Sequence, residues 1–240
     1  MDIGIITEGI RSELRYKVAL RFEIDGDLRF ISHRDTMRLY ERALARAGLP
    51  VRFAGRFNPR PRMSLPLPRT VGVASSSELL VVELCEPAEP ADVLARLASQ
   101  MPEGLRLQQA CRVDPGVAVQ PDQVSYQVVL PADQVPAVAA SVERLRKAGH
   151  WPIKRRGRQE KVIDLLAYVV SATVEAGALK WTARVTADGS ARPAEVLAAV
   201  GLDPDAWLHR VKRTWVGWFG LDWAASIEAP VGPADQGTGT

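Results

Sequence analysis

Arg34, Arg38, Arg42 and Arg46 recur every fourth residue, a spacing that puts four guanidinium groups in one slowly drifting row if the segment is helical. The guanidinium group is a planar, permanently charged fork that matches phosphate in bidentate fashion and stacks on bases. Four like charges at this spacing repel one another by roughly 0.2–0.5 kcal/mol per pair, and Glu41 relieves this only in part. An anionic partner converts the repulsion into attraction. The rival reading is a solvated helix face whose arginines pair with acids elsewhere in the chain.

A second basic feature follows at Gly55-Arg-Phe-Asn-Pro-Arg-Pro-Arg62. Its prolines stiffen the loop and lower the entropy lost when it is fixed on a ligand. Arg60 and Arg62 share parity and can project to one side of an extended loop. Phe57 is either a base-stacking platform or, as aromatics more often are, a buried anchor. A third cluster holds Lys154, Arg155, Arg156 and Arg158, with Lys161 close by; such runs are commonly just solvated. The candidate nucleic-acid contacts are therefore Arg34, Arg38, Arg42, Arg46, Arg56, Arg60, Arg62, Lys154, Arg155, Arg156 and Arg158.

His33 stands beside this surface at the start of the expected helix and is the one candidate for general acid–base chemistry in RNA cleavage. A cap or a packing residue is the plainer role. His33, His150 and His209 show no metal-ligand spacing with Cys85 or Cys111, and the chain has no Walker loop and no G-x-G-x-x-G. No metal or cofactor is expected, and no catalytic centre is recognisable.

The charge is localised. Residues 29–69 hold ten arginines, no lysine and two acids, a local charge of +8 in a chain whose net charge is +3. Asymmetry of this kind points to nucleic acid. The hydrophobic and charged fractions, 47% and 25%, are those of a folded globular protein. No apolar run approaches the length that spans a bilayer, the first residues lack the form of a signal peptide, and two cysteines make no secreted disulfide framework. A cytoplasmic protein without a membrane partner is expected.

Elements must position these groups. Tyr16, Val18, Leu20, Phe22 and Ile24 alternate with period two and predict a half-buried strand. Ser32 caps a helix over residues 33–47, with Asp35 at the capping-box position, Met37, Tyr40, Leu44 and Ala47 facing the core, and Gly48 and Pro50 ending it. Strands are expected over 51–57, 78–84 and 105–113, and a helix over 90–100. The prolines of 58–62 and 65–68 exclude a central strand there. This βαββαβ order is the ferredoxin-like pattern. After a linker at 112–123 the order recurs: a strand over 125–130, a helix over 132–148, a hairpin of 161–175 and 178–186 about Ala176-Gly177, a helix over 193–200 and a strand over 211–219. Residues 162–174 also fit a helix. The expected architecture is α+β, two tandem ferredoxin-like domains at 15–113 and 124–223, between an N-terminal extension at 1–14 and a polar, disordered tail at 224–240.

At Leu28-Arg-Phe-Ile-Ser-His-Arg-Asp35, Glu41-Arg-Ala-Leu-Ala-Arg-Ala-Gly-Leu-Pro50 and Gly55-Arg-Phe-Asn-Pro-Arg-Pro-Arg-Met-Ser64 the chain resembles the radical-SAM-linked family, an uncharacterised domain fused to or encoded beside radical SAM proteins. The match is specific over residues 15–110 and looser over 124–220. Lys161-Val-Ile-Asp164 is similar to the family's second-half Asp motif, although Leu165 and Leu166 stand where a more polar continuation is expected. The resemblance implies an accessory role, presenting RNA to a radical SAM partner, and carries over no catalytic residues. By fold-level analogy alone the tandem order is also similar to the CRISPR RNA-processing endoribonucleases. Three functions follow as expectations: an RNA-binding accessory protein that works with a radical SAM enzyme in RNA modification or processing, a metal-independent endoribonuclease using His33, and a protein-interaction module without RNA.

Overall fold

Alternation over residues 16–24 produces strand β1 (Tyr16–Ile24), whose Val18, Leu20, Phe22 and Ile24 are buried on one face; the structure, a computed structural model, describes residues 15–155, 161–223 and 227–228. A single 3-10 turn (Gly26–Phe30) leads into helix α1 (His33–Arg46). Ser32 caps that helix. Its hydroxyl accepts from the Asp35 N–H at 3.1 Å and donates to the Asp35 carboxylate at 2.7 Å. Gly48, at φ +60°, takes the left-handed conformation that ends helices, and Arg96 donates to the Ala47 carbonyl left open there at 2.8 Å.

Three two-residue strands follow: β2 (Phe53–Ala54), β3 (Arg60–Pro61) and β4 (Met63–Ser64). The strand expected over 51–57 is cut to two residues because Gly55 turns the chain at φ +110° and Pro59 and Pro61 bring no N–H donors. Then come β5 (Ala74–Leu84), helix α2 (Pro90–Ala98) and β6 (Leu105–Val113).

The second half opens with β7 (Gln120–Val129) and helix α3 (Val135–Lys147). The single strand expected over 161–175 is two strands. β8 (Pro152–Arg155) pairs with β9 (Lys161–Asp164), a 3-10 turn (Leu165–Ala167) intervenes, and β10 (Val169–Glu175) then pairs with β11 (Ala178–Thr186). The Asp164 carboxylate accepts from the Leu166 N–H at 3.1 Å and nucleates that break, so the helix that also fitted 162–174 does not form. Ala176 and Gly177 both have positive φ, the condition for a tight hairpin turn. β12 (Gly189–Ser190), helices α4 (Pro193–Ala199) and α5 (Pro204–Trp207), β13 (Lys212–Phe219) and β14 (Ile227–Glu228) complete the chain. The expected extension at 1–14 lies outside the described residues, as does most of the tail expected to be disordered; within that tail Ile227 pairs with Ala110 on the outer edge of β6.

The architecture is mixed α/β, compatible with the α+β class, with one ten-stranded sheet running through both halves in the order β10-β11-β7-β13-β5-β1-β6-β14. β12 attaches to β11, and β4 to β5. The halves therefore do not hold separate sheets. They are joined where β13 runs parallel to β5, with Lys212 opposite Ala74 and Arg213 opposite Ser75. One core packs Tyr40, Leu44, Val93 and Leu97 of α1 and α2 on β1, β5 and β6. A second packs Val138, Val142, Val196 and Leu197 of α3 and α4 on β7 and β11, around Trp181. On the reverse face, Trp218, Leu221 and Trp223 cover Ala19, Leu79, Val81 and Cys111.

A buried ion pair fastens the junction. Arg213, 2% exposed, reaches the Glu78 carboxylate at 2.8 Å, the Pro68 carbonyl at 3.2 Å and the Tyr126 hydroxyl at 3.3 Å. Burial works against its charge, but Glu78 and Tyr126 more than offset this and hold the guanidinium above its ordinary pKa. Glu78→Ala leaves that charge buried and unpaired and is expected to cost about 3–5 kcal/mol. The double variant Glu78→Leu with Arg213→Met, which removes both charges, should recover most of the loss in urea unfolding.

Candidate nucleic-acid interface

Thr36, Tyr40, Ala43 and Leu44 are the buried residues of α1. Thr36 and Ala43 thus belong to the core face, while Met37 is only half-buried. The Tyr40 hydroxyl is fully enclosed without a partner, and burial pushes its pKa up. His33, Arg34, Arg38, Arg42 and Arg46 are all exposed.

Among the described residues no carboxylate lies in ion-pair reach of Arg34 or Arg42. Arg38 meets Asp35 at 3.4 Å, but both side chains are more than half exposed, so water screens the pair. Arg46 donates to the Gln100 side-chain oxygen at 3.2 Å and its backbone carbonyl at 3.1 Å, which orients the guanidinium without neutralising it.

The loop of the second basic feature is a projecting hairpin, in which Phe53 faces Pro61 and Ala54 faces Arg60. Its root is tied to β5 by Arg52 N–H to the Glu83 carbonyl (2.8 Å) and Glu83 N–H to the Arg62 carbonyl (2.9 Å), and Arg62 N–H to the Arg52 carbonyl (2.7 Å) joins its two arms. The Pro50 carbonyl accepts from Cys85 N–H at 2.8 Å just past the end of α1. The hairpin and the C-terminal end of the arginine row therefore rise from the same end of β5. Arg56, Arg60 and Arg62 are exposed, again without a carboxylate partner among the described residues. Phe57 is 94% exposed, so it is no buried anchor, and the Arg56 guanidinium sits 5.7 Å from its ring centre.

In the third cluster Arg155 turns inward. Arg155 is 14% exposed and grips Glu195 with two bonds of 2.7 Å, adding one of 2.9 Å to the Ser190 carbonyl. It fixes the β8–β9 hairpin to α4, and the Glu195 hydrogen bonds hold its pKa above the ordinary value. Its assignment as a phosphate contact is corrected accordingly. Lys154 is exposed on β8, and Arg156 and Arg158 lie outside the described residues. Arg69, counted in the basic window, also turns inward, donating to the carbonyls of Arg29 (2.6 Å) and Val73 (2.7 Å).

His33 lines a narrow cleft with Thr36, Leu65, Leu67, Arg69 and Glu78 that has room for about one water molecule. Among the described residues its ring has no hydrogen-bond partner to set a tautomer or orient it. Asp164 of the second-half motif accepts from the Trp151 N–H at 2.9 Å and faces His150 Nδ1 at 2.9 Å. These bonds, the Trp151 N–H first, hold its carboxyl below the usual range. Its place is structural, at the root of the β8–β9 hairpin, and Leu165 after it is apolar because it is buried in the core at 1% exposure. Of the tryptophans, Trp181 and Trp207 are buried, Trp151, Trp218 and Trp223 half-buried, and Trp215 is 45% exposed. Residue type alone missed Phe53, 56% exposed beside the arginines; its signal was the nearby Gly55-to-Pro61 run that prevents a long, buried strand.

Fold and surface together define a mixed α/β protein with exposed arginines concentrated on α1 and the β2–β3 hairpin. No described helix is long and apolar enough to cross a membrane. The chain belongs to the family of uncharacterised proteins conserved in bacteria, DUF2344, whose model matches residues 17–193 and so covers both the arginine row and the hairpin. A comparison with curated proteins finds no match.

Two outcomes separate structural from surface groups. The Ser32 hydroxyl, and then Arg38, hold the Asp35 carboxyl below its ordinary range. A depressed folded-state pKa contributes stability at neutral pH that is lost as pH falls through that pKa. Ser32→Ala should therefore cost about 1 kcal/mol at pH 7, and the Tm gap to the parent should narrow in acid. Arg155→Ala should lower stability by about 2–4 kcal/mol, whereas Arg42→Ala should change it by less than about 0.5 kcal/mol, both read by urea unfolding.

Proposed function

We propose that this protein binds RNA through the α1 arginine row and the β2–β3 hairpin, as an accessory to a radical SAM enzyme in RNA modification or processing. One contrast carries the proposal. Where this chain uses arginine structurally, as at Arg69, Arg155 and Arg213, the guanidinium is buried or half-buried and its donors are taken up by carbonyls or a carboxylate. Arg34, Arg42, Arg56, Arg60 and Arg62 have neither burial nor a carboxylate partner among the described residues, although acids outnumber bases over the rest of the chain. Unpaired guanidinium groups held on a helix and a stiff hairpin are the donors a phosphate backbone requires.

The radical SAM partner enters through the motifs of residues 28–35, 41–50 and 55–64. The strand orders β6-β1-β5-β4 and β13-β7-β11-β10 support treating the halves as two ferredoxin-like units, at 15–113 and 124–223, fused edge to edge. Each places its first strand beside its fourth and third, with the second outside. A cytoplasmic setting agrees with the free thiols of Cys85 and Cys111. Among the described residues His33 has no orienting partner, which supports binding over cleavage.

If four to six phosphates are neutralised, affinity for a single-stranded RNA oligomer should fall with salt at a log–log slope of about −3 to −4. Replacing Arg34, Arg38 and Arg42 together by Ala should flatten that slope by about 2, measured by fluorescence anisotropy. Binding insensitive to salt, or a slope unchanged in the triple variant, overturns the proposal.

A further inference from the structure

The β2–β3 hairpin presents more than charge. Phe57 is 94% exposed at its tip and Phe53 is 56% exposed on its stem, whereas the stem partner of Phe53 is Pro61 and that of Ala54 is Arg60. Two large aromatic side chains therefore stand in water within a segment whose remaining side chains include three unpaired arginines. Neither ring is left outside by a floppy loop. Gly55 adopts φ +110°, and a Cβ there would lie 2.9 Å from the Asn58 carbonyl oxygen, so the turn is tight enough to exclude any other residue. Pro59 and Pro61 fix φ on the returning arm. The root is bonded on both arms to Glu83 of β5. The rings are held out by a stiff support, which limits the entropy lost on binding.

We infer that this hairpin is a single-strand clamp, in which Phe57 and Phe53 stack on unpaired bases while Arg60 and Arg62 hold the adjoining phosphates. Arg56, already over the Phe57 ring at 5.7 Å, adds a cationic edge to the stacking platform. The chemistry selects the form of nucleic acid. In an A-form duplex the base faces are covered by their neighbours and the major groove is too deep and narrow for side chains, so aromatic rings find their partners on splayed, unpaired bases. Charge complementarity argues for this occupant over an apolar protein groove: arginines flank the rings, and an apolar partner would have to desolvate them without compensation.

The clamp rests on the RNA-binding proposal above, and the experiment separates the two. The full-length protein and its Phe53→Ala/Phe57→Ala variant are titrated by anisotropy with three oligomers of equal length: a single-stranded RNA, its duplex, and an abasic strand carrying the same phosphates. The expected result is a loss of about 30-fold or more for the base-bearing single strand, two stacked bases being removed, an unchanged salt slope, unchanged affinity for the duplex and the abasic strand, and retention of affinity in Phe57→Tyr. If the parent binds the single strand in a salt-dependent way and the double variant binds it equally well, the clamp is overturned while RNA binding stands, and the hairpin belongs to a protein contact. An equal loss on the abasic strand also overturns it, since phosphate contacts then account for the change. If the parent binds none of the oligomers, RNA binding fails and the clamp fails with it.

Discussion

Everything in this molecule is referred to a buried charge pair on the seam between its halves. The parallel ladder of β13 on β5 holds two residue pairs, Lys212 with Ala74 and Arg213 with Ser75, and the Ser77 hydroxyl extends it by accepting from the Val216 N–H at 3.2 Å. Arg213 adds side-chain bonds from β13 to Glu78 on β5, to Tyr126 on β7 and to the carbonyl of Pro68 in the segment leading into β5. Such a pair contributes modest net stability, because both ions lose their water, but it tolerates no half-measure. Arg69 belongs to the same neighbourhood: desolvation lowers its pKa, the Glu78 charge opposes this, and its donors tie the 3-10 turn before α1 to the approach to β5. The starting point of the arginine row is thus set by groups that also hold the halves together.

From this seam the arginines divide into two populations by a simple electrostatic criterion. Those facing inward have carbonyls or carboxylates aimed at them and act as cross-links between distant segments. Those on α1 and the hairpin keep their charge in water and lie within a +8 stretch of sequence. Long-range attraction of a polyanion to such a region needs no exact geometry, because Coulomb forces act over about a Debye length, ~8–10 Å at physiological salt. Short-range discrimination does need geometry, and the exposed Phe53 and Phe57 on a proline-stiffened turn are the groups that could supply it.

Much of the framework could be read from local sequence. The alternation over 16–24, the Ser32 cap with Asp35, the strands at 105–113 and 178–186 and the Ala176-Gly177 turn all appear as expected, because each depends on side-chain periodicity or on a φ preference within a few residues. Local reading went astray where single residues override the periodicity around them. Residues 161–175 divide because Asp164 accepts from the Leu166 N–H and from Trp151, and 51–57 shortens because the chain turns at Gly55.

The identity and order of most elements, the concentration of arginine in the first half and the regular row along α1 are already present in the unfolded chain, since spacing and composition do not depend on folding. That the two halves share one sheet, that Arg155 and Arg213 are structural, and that Phe57 stands in solvent emerge on folding. The physical reason is separation: Glu78 finds Arg213 across 135 residues and Arg155 finds Glu195 across 40. Whether a guanidinium meets a carboxylate or meets water is settled only when folding brings such distant positions together.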